Sequence, residues 1–86
     1  MAIKVVGNIY ELTNVVGYSS RYLCDSKEAV QFMIARLMEL PMNSEEVINA
    51  ANGNNDAYIV KERKLYGFTT DDDPERVNIP CDIIRR

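Results

Sequence analysis

One amphipathic helix, flanked on both sides by segments rich in β-type residues, is the feature that most limits the folds open to this chain. Asp25 and Glu28 stand at the spacing of a capping box ahead of this helix, and Pro41 marks its end. A single apolar stripe has to be buried against another element, so we expect the helix to cover one face of a sheet. The stripe recurs at helical spacing and consists of Val30, Met33, Ile34, Leu37 and Met38.

A second, shorter helix is predicted between residue 43 or 44 and residue 52. Glu45 and Glu46 lie near its positive end, and Gly53 follows it as a natural left-handed terminator. Its expected apolar side consists of Val47, Ile48, Ala50 and Ala51.

Two β segments precede the helices. Residues 2–12 and 15–24 are both rich in β-branched and aromatic side chains, with a turn predicted at Thr13-Asn14. Gly7 interrupts the first segment and indicates a bulge or a close backbone approach. We therefore expect these segments to form a hairpin.

The β pattern returns after the helices. Residues 57–60 and 65–69 each predict a strand, and the charged residues 61–64 between them predict a four-residue hairpin loop. The alternative is one long strand with charged outer residues. The alternation in residues 77–83 predicts a last strand, which Pro80 restricts to a sheet edge or a bulge.

The resulting order, β-β-α-α-β-β-β, predicts a single α+β domain over residues 1–86. Because the connections are short, an antiparallel sheet with both helices on one face is the expected two-layer arrangement. The length of 86 residues suits one domain with one modest core.

The composition argues against catalysis. The chain has no histidine, the usual general base and the commonest metal ligand. It also has no CxxC, GxSxG, HExxH or Gly-rich phosphate loop, so the expectation is a non-enzyme with no metal and no cofactor. Cys24 directly precedes the predicted helix and is the one candidate nucleophile with a favourable position, although burial is the simpler expectation for it.

The expected location is the cytoplasm. The apolar run at the N-terminus is too short for a signal peptide, and no segment reaches membrane-spanning length. Cys24 and Cys81, the two cysteines, are then expected to be buried free thiols, with a disulfide between them as the alternative.

Phe32 is the first candidate binding residue, because it lies on the helix face opposite the apolar stripe. Glu28, Arg36 and Glu39 are its neighbours on that face. An aromatic centre with arginine nearby and a polar rim is the composition of a protein-interface hot spot, to which Tyr66 could contribute if its hairpin lies beside the helix. The alternative is that the second helix or the C-terminal segment covers Phe32 within the monomer.

A second candidate site is the predicted hairpin itself. The basic residues Lys61, Arg63 and Lys64 stand between the aromatic residues Tyr58, Tyr66 and Phe68, a composition that can bind single-stranded nucleic acid by stacking and phosphate contacts. The net charge of −3 opposes generic attraction to nucleic acid, which makes such binding the weaker hypothesis. The acidic residues 71–73 could hold a cation or meet a basic partner, but they lack the spacing of an EF-hand.

These observations favour a small non-enzymatic binding protein that docks on another protein as an inhibitor, adaptor or regulator. Compact chains of this kind are often carried by phages and other mobile elements. The alternatives are single-stranded nucleic-acid binding through residues 58–68 and a structural homodimer. No membrane association is expected, and the protein is a monomer or a homodimer under these hypotheses.

Overall fold

One long strand forms the centre of the sheet. The computed structural model describes residues 1–16, 19–79 and 82–85, and in these ranges β1 (Ala2–Asn14) lies between β2 (Arg21–Cys24) and β3 (Tyr58–Thr69). Both pairings are antiparallel. A register shift between Val5 and Gly7 confirms the bulge, whereas the space around Gly7 is open and shows no close approach. The predictions for Pro80 and Cys81 fall on residues outside the described ranges.

Both predicted helices are present. Helix α1 (Lys27–Met38) begins at Ser26, whose hydroxyl accepts a hydrogen bond from the Ala29 N–H at 3.1 Å, so the predicted capping box at Asp25 is wrong by one residue. Helix α2 (Glu45–Ala51) follows, and Gly53 has the expected left-handed conformation at φ 85°.

The α+β class is confirmed, with an antiparallel sheet and two helices in the order β-β-α-α-β. The predicted hairpin loop at residues 61–64 is wrong. Those residues continue β3 and pair with residues 8–11 of β1, which is the single-strand alternative. The charges interrupt the apolar pattern because all four of these side chains, on both faces of the strand, are exposed to solvent.

Two other boundaries differ from the prediction. Thr13 and Asn14 are not a turn but the last pairs of β1 with β3, so β1 is longer than expected and β2 is shorter. The predicted last strand is reduced, among the described residues, to two isolated bridges. Asn78 bonds to Phe68 at the outer edge of β3, and Ile84 bridges to Cys24 at the outer edge of β2.

The core lies between the helices and one half of the sheet. The alternation of strand side chains places Leu12, Tyr58 and Val60 on the face that carries α1 and α2. Ile48 departs from the predicted apolar side of α2, since 41% of its surface is exposed. The largest fully buried side chains are Leu12, Cys24, Val30, Ile34 and Val47.

The other half of β1 and β3 extends beyond the helices as a two-stranded ribbon, here called the arm (residues 2–9 and 63–69). The molecule measures 47 × 24 × 17 Å, and its radius of gyration is 15.1 Å. A compact chain of this length would have a radius of about 12 Å. The arm is therefore a long stretch of sheet that the helices do not cover.

Candidate interaction surfaces

The outer side of α1 carries the first candidate site. Phe32 is half-buried, and the Arg36 guanidinium lies 5.7 Å from the centre of its ring, within the range of a cation–π contact. Glu28, Arg36 and Glu39 are exposed. With Phe32 they are called the Phe32 surface below: Glu28, Phe32 and Arg36 recur every four positions on α1, and Glu39 follows α1 as its C-cap in the left-handed conformation.

Tyr66 lies on a different part of the molecule. It pairs with Val5 in the arm, and 52% of its surface is exposed. Helix α1 packs mainly on α2, β1 and β2, whereas α2 is the helix that packs on β3. The structure therefore does not join Tyr66 to the Phe32 surface, and a role for it there remains a prediction.

The basic and aromatic residues of β3 do not form one surface. Tyr58 is buried in the core, so its ring is not available for stacking on a base. Strand alternation places Lys61 and Arg63 on the face opposite the helices and Lys64 on the helix-bearing face. The Arg63 Nε also lies 3.1 Å from the Glu11 carboxylate. This ion pair within the chain partly neutralises the charge of the Arg63 guanidinium.

Cys24 is a buried free thiol, as expected. Burial first, and the nearby negative charge of Asp25 second, raise the pKa of this thiol from 9.0 to about 11. A thiol with such a pKa is almost entirely protonated at neutral pH, and the thiolate is the nucleophilic form. The position of Cys24 before α1 therefore does not activate it.

The acidic segment after β3 is a solvated loop. Asp71, Asp72 and Asp73 are exposed, and the Asp73 carboxylate accepts a hydrogen bond from the Arg76 N–H at 3.2 Å. Within residues 1–16, 19–79 and 82–85, no group of three or more acidic or cysteine side chains is arranged to hold a metal ion.

The arm carries two features that the sequence analysis missed. Ile3 and Tyr66 line a shallow, almost wholly apolar groove of about 230 Å³ on its helix-bearing face, and 69% of Ile3 is exposed. Among the described residues, the outer backbone edge of β3 between Val60 and Tyr66, next to this groove, has no hydrogen-bond partner. Periodicity does not indicate a continuous strand here, because the charged residues 61–64 interrupt the apolar pattern between Tyr58 and Phe68.

Comparison with known proteins finds no family model, no curated protein and no solved structure that matches the chain. None of the helices in the described ranges has the length and apolar character needed to cross a membrane.

Proposed function

We propose that this protein is a small non-enzymatic binding protein of the cytoplasm, which docks on another protein as an inhibitor, adaptor or regulator. The docking surface is the Phe32 surface on α1. The observation that supports the proposal is the Arg36 guanidinium stacked over a partly exposed aromatic ring.

Such an arrangement has the properties of an interface hot spot. Phenylalanine and arginine are both enriched at the centres of protein interfaces, where removal of water strengthens their contacts. The exposed carboxylates Glu28 and Glu39 supply a polar rim, which selects partners by charge and steers their approach. Helix α1 presents three of these side chains and its C-cap residue Glu39 presents the fourth, so little backbone ordering is needed when a partner binds.

Affinity capture from the source cells tests the proposal. We expect the captured partner to be lost with Phe32→Ala, because a hot-spot truncation weakens binding by about 2 kcal/mol or more. Arg36→Ala should weaken capture as well, and since Arg36 is exposed it should leave the melting temperature almost unchanged. Ile59→Ala is the matched control, since Ile59 is 43% exposed but lies on the sheet face opposite the helices.

The melting temperature distinguishes a loss of partner binding from a loss of folding stability. If the melting temperature of Phe32→Ala is several degrees below that of the wild type and the variant still captures its partner normally, Phe32 is a structural residue and the proposal is wrong. Co-purification of nucleic acid in place of a protein, lost on neutralising Lys61 and Lys64, would favour the alternative function.

A further inference from the structure

The outer edge of β3 is open over one defined stretch. Phe68 exchanges both of its backbone hydrogen bonds with Asn78, at 2.9 and 2.8 Å, so its N–H and C=O point away from β1. Along an antiparallel strand these directions alternate. The N–H and C=O groups of Val60, Glu62, Lys64 and Tyr66 therefore also point outward.

This stretch is closed at both ends. Phe68 is occupied by Asn78, and the outward N–H of Tyr58 donates to the Asn55 carbonyl oxygen at 3.1 Å. Among residues 1–16, 19–79 and 82–85, no group bonds to the outward backbone of the four residues between them. These four, called the β3 edge below, are centred on Arg63.

A row of unpaired backbone groups is a template for another strand. We propose that the β3 edge pairs with the β3 edge of a second copy of this chain, antiparallel, about a two-fold axis at Arg63. In this register every open residue meets an open residue, and the two strands diverge beyond Val60 and Tyr66, because Asn78 and Asn55 occupy the edge beside Phe68 and Tyr58. Glu62 lies opposite the partner's Lys64, Lys64 opposite the partner's Glu62, and Val60 opposite the partner's Tyr66.

Charge selects this register over its neighbours. A shift of one step in either direction would place Glu62 opposite its own copy, or Lys64 opposite its own copy, and like charges directly opposite are destabilising. The proposed axis does bring two Arg63 side chains together on the other face. Each is held by the Glu11 of its own chain at 3.1 Å, which reduces their repulsion.

The pairing also accounts for the exposed part of the arm. A perpendicular two-fold axis keeps the helices of both copies on one face of a six-stranded sheet. Each arm then lies beside the helical layer of the other copy, with Tyr66 next to the partner's Val60. Val60 borders a groove of about 360 Å³ together with Gly53 and Asp56, which leaves room for a tyrosine ring. The inference concerns a surface separate from Phe32 and does not depend on the proposed function.

Charge exchange tests the pairing. Sedimentation velocity of the purified full chain at about 10 to 500 µM should show a dimer that dissociates on dilution. Glu62→Lys and Lys64→Glu should each raise the dissociation constant about tenfold or more, because each replaces two attractive pairs by two repulsive ones. The double variant E62K/K64E restores opposite charges and should restore the dimer. Glu46→Lys, an equal charge change at an exposed position of α2, should have no effect.

Amide hydrogen exchange by NMR reports the same contact residue by residue. The N–H groups of the β3 edge should gain protection as the protein concentration rises, while the inward N–H groups of Lys61 and Arg63 stay protected throughout. A monomer at 500 µM would overturn the inference. So would a dimer that both single variants leave intact, or one that the double variant fails to restore.

Discussion

Replacement of Leu12 by alanine is the change that best tests how stability is distributed in this molecule. Leu12 is fully buried in the central strand, where it pairs with Tyr22 on one side and Val60 on the other. Removal of three carbon atoms costs about 2.4 kcal/mol of transfer free energy at about 0.8 kcal/mol each. The cavity adds to this because strands on both sides hold the site open, so we expect a total of about 3 to 4 kcal/mol.

Urea unfolding followed by circular dichroism measures this loss, and the melting temperature should fall by about 15 to 25 °C. Val5→Ala is the control, since Val5 is 52% exposed in the arm and should cost about 0.5 kcal/mol. Equal losses for the two variants would refute the division into a packed half and an uncovered arm. A loss below about 1 kcal/mol for Leu12→Ala would refute the assigned core.

Two further predictions concern Cys24 and Gly67. Because the pKa of Cys24 is about 11 folded and 9.0 unfolded, the folded state binds the proton more tightly, and stability should fall as the pH rises from 9 to 11. Relative to Cys24→Ala at each pH, the loss should be on the order of 2 kcal/mol, and an equal pH dependence in both proteins would contradict the buried thiol. An ideal Cβ at Gly67 would overlap Cγ1 of Val77 and lie 3.3 Å from the Asn78 carbonyl oxygen, so Gly67→Ala should displace that segment and expose the Phe68 amide to exchange. Gly7→Ala meets no atom within 4 Å and should leave exchange at Phe68 unchanged, and the same result for Gly67→Ala would show that the close approach is absent.

The helices could be predicted from the sequence because their signals are local. The spacing of Val30 and Ile34 identified the buried side of α1, and both are fully buried. Asp25 and Ser26 are both good capping residues, and the sequence does not distinguish them. The structure chooses Ser26 because its hydroxyl reaches the Ala29 N–H.

The strands were harder to predict because their pairing is not local. Residues 61–64 have the composition of a loop, and they are a strand only because residues 8–11, at least 50 positions earlier, pair with them. The error in the strands carried over to the sites. A hairpin tip would expose the basic side chains as the candidate binding feature. A continuous strand also exposes its backbone edge.

The position of Phe32 could be predicted from helical geometry alone, and the structure places it half-buried beside Arg36. What touches it from outside the chain depends on a partner, which neither composition nor periodicity encodes. The symmetric free stretch of β3 likewise depends on Asn78 and Asn55 closing its two ends.

Photo-crosslinking at Phe32 in the source cells tests the central claim most directly. With the photoreactive analogue p-benzoylphenylalanine at position 32, irradiation should give one covalent adduct with a different protein, competed by the unlabelled chain. The same analogue at position 59, on the opposite face of the sheet, should give no such adduct. Equal adducts from both positions, or an adduct at position 32 only with a second copy of this chain, would contradict docking through the Phe32 surface.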